Sequence, residues 1–529
     1  MEWTKVAAKA IGTAAVVSGL ILSATAQADT VRLVSVQDGV DLSGRLLSYN
    51  NGFYVVETSA GQVTVNSAFV DCMGACPEKP QTDTSTTFSV AGSDTIGLEL
   101  MPLLIKGLAA QEYQAVNDKR TNNGHVINLN VIDDQGSGDT AFNANITARG
   151  SSTGFRALLD KSAVLAMSSR PIKNSEAQLL RDAGAGDMRA ASQEHAIAAD
   201  GIVVAIHPNN PVDSLTEQQI GDLLTGKIAN WSDVGGPNIP VKVYTRDPRS
   251  GTAATIQSTF FENGRYFSTN ATLVEGNGEM AQAIFNDPGA IGYLGVGHKA
   301  DTKPVAIKSV CGIATPADAF FIKTEEYPLQ RRLFLYNRQE TLPEPVKELV
   351  AFSSSNRASS AIEKAGFVSW TVSSRPQIDA AVNLQANILE MQSPAQLQLA
   401  ADLYMDMRDW DRLSATFRFR SGTSILDNVS ENKLLRLAEY IIGLPEGAQV
   451  RLVGFSDSDG AFDANKRLSE ARALAVEEKL RQVMAGTNAL DKVRVSTKGF
   501  GELSPVACNE DYKTKGLNRR VEAWVKLPG

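Results

Sequence analysis

The chain has 529 residues, of which 43% are hydrophobic and 21% charged, an ordinary globular composition with room for roughly two to four domains. Its net charge is −8, a balance that argues against general nucleic-acid binding but leaves a local anion site open. No stretch after the N-terminus is apolar for long enough to cross a bilayer as a helix.

In chain order, residues 1–28 read first as a secretory signal peptide. Lys5 and Lys9 precede the apolar run from Ala10 to Ala26, and Ala26-Gln27-Ala28 forms an A-x-A site before Asp29. The apolar run is too short for a spanning helix, and no cysteine at the cleavage site offers a lipid anchor. Residues 29–77 alternate apolar and polar positions in runs such as VRLVSV and GFYVVET, broken by Asp-Gly and Asn-Gly turns. That pattern predicts a small β module of hairpins. Cys72 and Cys76 flank Gly74 and are expected to form a local disulfide in an oxidising compartment. Cys311 and Cys508 either pair or stay free; the sequence leaves both open. The four histidines, His125, His195, His207 and His298, show no metal-ligand spacing beside the cysteines, so no metal and no cofactor is expected.

After a polar linker, residues 86–375 alternate strand and helix patterns, which predicts an α/β architecture. Three segments place hydroxyl residues just before a helical pattern: Ser93-Asp94-Thr95, Ser151-Ser152 and Ser250-Gly251-Thr252. A helix start supplies unpaired backbone N–H groups and a favourable potential for an anion. Taken singly, each such turn is ordinary helix capping. Arg246 could add a charge-assisted hydrogen bond. Residues 377–408, rich in Gln, Ala and Leu, predict a connecting helix, placed at 376–411. Residues 412–529 give a β-α-β-α-β-β order.

Two resemblances follow from the quoted residues. The segments AGSDTIG, RGSSTGFRAL, AMSSRPI, the run from Ala199 to Gly236, TRDPRSGT and AIGYLG occur in the order used by phosphate-binding proteins of the periplasmic solute-receptor class. The resemblance implies a two-lobed α/β periplasmic-binding-protein fold and anion contacts at Ser93, Asp94, Thr95, Ser151, Ser152, Ser169, Arg170, Arg246, Ser250, Gly251 and Thr252. Many such receptors carry an Asp at the position of Arg170, where a carboxylate accepts the proton of hydrogen phosphate and rejects sulfate. Asp94 either restores that acceptor or caps a helix, and Arg249 replaces the usual Gly. Asp200 reads as structural or hinge-related.

The run GFSDSDGAFDANKRLSEARALAV, followed by NRRVEAWV, resembles the α+β OmpA-like peptidoglycan-binding domain. The resemblance implies that Asp457 and Arg472 clamp the diaminopimelate group of the wall peptide, supported by Asn465 and Arg520. The family's His-Thr-Asp reads Phe455-Ser456-Asp457 here, which keeps the hydroxyl and the acid.

The implied protein is a non-catalytic receptor for phosphate or a related oxyanion, located in the periplasm and fastened to peptidoglycan on the outer-membrane side. An inner-membrane ABC permease is an implied partner, and nucleic acid is not. The alternative is an envelope-organising structural protein whose receptor domain has lost or changed its ligand. No nucleophile–base pair or metal constellation points to an enzyme.

Overall fold

The computed structural model describes residues 30–528 except 36–40, 51–52, 60, 67–69, 77–85, 114, 122–124, 133–139, 248–249, 262–264, 378–383, 385–387, 389–390, 392, 420–425, 427 and 511–513. The expected signal peptide lies outside the described residues. No helix among the described residues is long and apolar enough to cross a membrane.

The N-terminal strands β1 (Thr30–Ser35), β2 (Asp41–Asn50), β3 (Phe53–Thr58), β4 (Gly61–Asn66) and β5 (Val70–Gly74) form an antiparallel sheet in the order β4-β3-β2-β1-β5. Alternation puts Val31, Leu33, Leu42, Val56, Val63 and Val70 on one buried face. So small a core gains from cross-links and neighbours. A disulfide joins Cys72 to Cys76, and Ala485 of the terminal domain packs onto the module.

The middle domain holds β6 (Thr86–Gly92), β7 (Ala115–Thr121), β8 (Val126–Ile132), β9 (Thr140–Ala148), β10 (Leu165–Ser168), β11 (Glu194–Ile206), β12 (Ser214–Thr216), β13 (Lys242–Thr245), β14 (Thr272–Leu273), β15 (Ala290–Gly295), β16 (Lys303–Pro304), β17 (Ala306–Lys308), β18 (Ala314–Thr315) and β19 (Gln330–Asn337). One hydrogen-bonded path runs β14-β13-β15-β11-β19-β10-β6-β9-β8-β7, with β16 on β11 and a separate sheet β12-β17-β18. Two hydrophobic cores define two lobes. The first holds Phe88, Leu104, Ile146, Leu335 and Leu349; the second holds Ile206, Leu223, Ile256, Ile284 and Tyr293. The 13-residue β11 joins them: its first part pairs with β19 and its last with β15. Alternation of strand and helix is not strict, because β7, β8 and β9 are successive antiparallel neighbours.

The terminal domain adds β20 (Ser374–Pro376), β21 (Asp411–Arg418), β22 (Gln449–Phe455), β23 (Arg494–Gly499) and β24 (Arg520–Lys526), in the order β20-β21-β24-β22-β23. Helices Asn428–Ile442 and Phe462–Val483 cover one face. The segment expected as a connector covers the other. β20 pairs with β21 before that segment begins, and its helix Pro394–Asp409 buries Leu403 and Met407 in a core shared with Phe455, Phe500 and Trp524. Each such fully buried side chain contributes about 1.5–3 kcal/mol, and Asp406 pairs with Lys498 at 2.6 Å. The helix is therefore a layer of the domain rather than a free spacer.

Middle and terminal domains are docked. A disulfide joins Cys311 to Cys508. Glu325, buried at a left-handed φ of 63°, gathers Arg332 at 2.6 Å, Lys433 at 3.1 Å and Arg418 at 3.6 Å. Such a conformation costs a bulky residue about 1–3 kcal/mol, and three cations around the carboxylate offset it. Glu326 pairs with Arg412, which also meets Glu522 at 3.2 Å. On the first lobe, Arg436 and Glu439 bond Asn356. The terminal domain thus holds both lobes.

Candidate functional site

Strands β6, β9 and β10 are parallel, so their C-terminal ends deliver three loops to one edge of the first lobe, the usual place for ligands in open α/β sheets. Close packing requires glycine here. At Gly92, with φ +138°, a Cβ would lie 2.1 Å from the Met167 carbonyl oxygen, and at Gly154 one would lie 2.7 Å from that of Ala91. The Ser93 amide donates to Met167 O at 2.9 Å and the Arg149 amide to Gly92 O at 2.8 Å. Ser151 Oγ accepts the Ser169 amide at 3.1 Å and lies 3.4 Å from Ser169 Oγ. Ser93 is fully buried and its Oγ has no hydrogen-bond partner among the described residues.

Three helical runs begin here: one that starts at Asp94 after Ser93 and continues through Ile96–Leu100, then Ser151–Leu159 after Gly150, and Gly251–Phe260 after Ser250. Among the described residues neither Ser93 nor Ser250 makes a side-chain cap bond, and Gly150 has no side chain to make one. Capping, the ordinary explanation for hydroxyl residues at helix starts, is thus not what these residues do. Their first-turn N–H groups are left for another acceptor. Asp94 is exposed and makes no hydrogen bond among the described residues, so it does not cap either. Ser152, also exposed, accepts Arg170 Nη2 at 3.0 Å.

The second lobe supplies Arg246 at the end of β13. Its amide donates to the Tyr293 hydroxyl at 3.0 Å, and that hydroxyl also meets Thr245 Oγ1 at 2.7 Å. Burial pushes the Tyr293 phenol up, so it stays neutral. Arg246 Nη1 is 3.4 Å from Asn277 Oδ1, and no carboxylate pairs with it among the described residues. Ser250 and Thr252 are half-buried at the start of the following helix; Arg249 lies outside the described residues. Among the described residues no hydrogen bond links the Arg246–Thr252 segment to Ser93, Ser151 or Ser169.

Arg170, expected at the anion, is bound elsewhere. Its Nη1 and Nη2 meet both oxygens of Glu176 at 2.9 and 2.7 Å, and its guanidinium lies over Phe155. Burial opposes ionisation of Glu176, but Arg170 and the Lys173 amide outweigh it and hold the carboxyl below its usual range. Arg331, absent from the residues expected at the anion, has its Nη2 3.5 Å from Thr95 Oγ1. Its only signal was a basic pair on a crossing strand.

In the terminal domain, Asp457 follows β22 and Arg472 lies on helix Phe462–Val483. Gly454 and Gly499 let that helix lie on the strands: a Cβ would meet Ser469 O at 1.9 Å and Glu470 N at 2.5 Å. Asp457 and Arg472 are both buried, and Arg472 Nε and Nη1 have no hydrogen-bond partner among the described residues. Burial and the neighbouring Arg519 push Arg472 down, and Asp457 opposes them. Asn465 is buried and donates to Glu502 Oε2 at 3.0 Å. The Ser456 hydroxyl is buried without a partner.

Arg520 is not at this site. Side chains alternate along β24, so Val521, Ala523 and Val525 face the two covering helices while Trp524 faces the opposite core. Arg520 shares the Trp524 face, where its Nε donates to Glu522 Oε1 at 2.7 Å and its guanidinium lies over Phe455. Arg519 takes the expected place, donating from Nη1 to Asp457 Oδ2 at 2.7 Å.

Two lobes crossed by long strands, with helix starts facing a cleft, define a solute receptor of the binding-protein class; the terminal sheet and helices form a second unit. The PBP superfamily domain matches residues 126–375, and the OmpA family matches residues 418–519. The phosphate-binding protein PstS of Staphylococcus haemolyticus is 30% identical over 240 residues, covering 43% of this chain and 72% of that protein. The PstS of Borreliella burgdorferi is 24% identical over 227 residues, 42% and 77% of the two chains. A putative phosphate ABC transporter substrate-binding protein with bound phosphate from Clostridium perfringens is 24% identical, covering 54% of this chain and 99% of that one, at a TM-score of 0.37. The chain belongs to the PstS-like phosphate-binding-protein family, fused to a C-terminal domain of the OmpA family.

Proposed function

We propose that the protein is a secreted, non-catalytic receptor for phosphate or a similar oxyanion, held on peptidoglycan by its terminal domain and serving uptake through an inner-membrane ABC permease. The observation that carries the anion reading is the set of three helix starts without side-chain cap bonds, two on the first lobe and one on the second beside Arg246, which no carboxylate among the described residues neutralises. Their N–H groups and hydroxyls surround a tetrahedral anion when the lobes close, and Arg246 supplies charge. Buried Arg472 beside Asp457, with Nε and Nη1 free of hydrogen-bond partners among the described residues, carries the wall reading. A diaminopimelate end carries one ammonium and one carboxylate, matched by one acid and one base.

Calorimetry of the mature protein against phosphate, then sulfate, tests the receptor. Phosphate binding at about micromolar or tighter, abolished by Arg246→Ala with wall binding intact, is the expected result; unchanged affinity in that variant sinks the site. Asp457→Ala or Arg472→Ala releases the protein from purified sacculi, and retention of both places the anchor elsewhere.

The second reading, an envelope-organising protein with a lost or changed ligand, is favoured by one observation. Arg170 stands where many receptors carry an acceptor, and Glu176 neutralises it. Absence of heat with either ion supports that reading.

A further inference from the structure

Asp200 and Arg331 face each other where β11 and β19 cross between the lobes. Arg331 Nε and Nη2 both reach Asp200 Oδ2, at 2.9 and 2.8 Å. Nη2 also lies 3.5 Å from Thr95 Oγ1, at the start of the first cleft helix. Nη1 has no partner among the described residues, and the Arg331 side chain is 26% exposed. The arginine is therefore anchored at one edge and presents its other edge beside the cleft. Asp200 is only 5% exposed. Its bonds from Arg331 go to one oxygen, which leaves Oδ1 without a hydrogen-bond partner among the described residues.

That arrangement bears on selectivity. Hydrogen phosphate carries a proton that needs an acceptor, and sulfate carries none. The loop at Arg170 offers no free acceptor, because Glu176 already takes two bonds from Arg170 and one from the Lys173 amide. Asp94 is exposed, where water competes for every bond and a fixed geometry is not enforced. Asp200 is largely buried and held in a fixed geometry by Arg331, so a ligand that donates to its other oxygen gains a charge-assisted bond that sulfate cannot make.

We propose that Arg331 is a second anion-binding arginine and that Asp200 is the carboxylate that reads the proton of hydrogen phosphate. The pair takes over the acceptor function that Arg170 does not supply. This rests on the receptor reading above.

The test is calorimetry of the full mature chain with inorganic phosphate and with sulfate, for wild type and for Arg246→Ala, Arg331→Ala, Arg331→Lys and Asp200→Asn. Unfolding midpoints and sacculus retention are recorded for each. Arg331→Ala is expected to weaken both anions roughly tenfold or more, the usual loss for a charge-assisted bond, with Lys restoring part. Asp200→Asn keeps a bond to Arg331 but loses the charged acceptor. The phosphate-to-sulfate affinity ratio should then fall by about tenfold while sulfate affinity holds.

Loss of binding in Arg246→Ala, together with Arg331→Ala within about twofold of wild type, overturns the role of Arg331 and spares the receptor reading. An unchanged ratio in Asp200→Asn overturns the proton-reading role in the same way. Should Asp200→Asn not fold, Asp200→Glu carries that arm, since moving the acceptor must also shift the ratio. A wild-type protein that binds neither anion overturns the receptor reading and this inference together.

Discussion

Cys311, in the second lobe of the receptor domain, is bonded to Cys508 of the terminal domain, 197 residues later in the chain. With Arg436 and Glu439 holding Asn356 on the first lobe, the anchor domain grips the receptor at both lobes. The middle and terminal domains therefore move as one body.

A cross-link closing so long a loop restricts the unfolded chain strongly, by up to roughly 5 kcal/mol in the chain-entropy estimate. Cys311→Ser with Cys508→Ser should lower stability by about 2–5 kcal/mol in chemical denaturation. It should also separate the unfolding of the two domains into distinct steps. A single transition at the wild-type midpoint would show that the disulfide adds nothing to the docking.

The buried layer between the domains makes a sharper test. Glu326→Ala leaves Arg412 buried with only Glu522 for charge compensation, and breaking such a pair costs about 3–5 kcal/mol. Replacing both Glu326 and Arg412 by Met should cost much less than the single change, because no unpaired charge remains. Equal losses in the two variants would mean that packing, not charge pairing, governs this contact.

Acid should weaken the docking. Burial pushes Glu325 up, but Arg332, Lys433 and Arg418 outweigh it and hold it far below its ordinary value; Arg412 and Arg520 outweigh burial at Glu522 in the same way. Groups depressed on folding contribute stability that is complete above the unfolded value, near about 4.3, and is lost as pH falls toward the folded value. The urea midpoint should stay level from about pH 7 to 5 and fall below about pH 4. Glu325→Gln should be less stable at neutral pH and show a shallower acid slope, and an identical slope would remove Glu325 from the account.

Arg519 and Arg520 are neighbours in sequence with opposite expectations. Arg519→Ala should reduce binding to sacculi with little loss of stability, since it pairs with Asp457 at the rim. Arg520→Ala should destabilise the domain by about 3–5 kcal/mol, since it removes the nearer of the two cations on buried Glu522 and leaves Arg412 at 3.2 Å, while the wall affinity of the folded fraction holds. Reversed results would restore Arg520 to the wall site.

Much of the architecture was legible in local pattern. Period-two runs gave the hairpins β1 to β5, and helical periodicity gave the helices that cover the terminal sheet, because each needs only its own stretch of chain to show which face is apolar. The three loops proposed for the anion were legible as hydroxyl residues before helices. Whether those hydroxyls cap their helices was not, because a cap and an anion site use the same residue types and differ only in where the side chain points.

The sequence by itself determined the class of the two large domains and where hydroxyl residues precede helices, since turn chemistry and helix starts are local. Only the tertiary structure decided that Arg170 is neutralised by Glu176, that Arg519 rather than Arg520 meets Asp457, and that Arg331 and Asp200 meet at the lobe crossing. It also decided that the segment after β20 is a packed layer and that Cys311 pairs with Cys508. Each is a contact between side chains whose partners are set by sheet register and helix docking. Those depend on packing over the whole chain, and no local spacing encodes them.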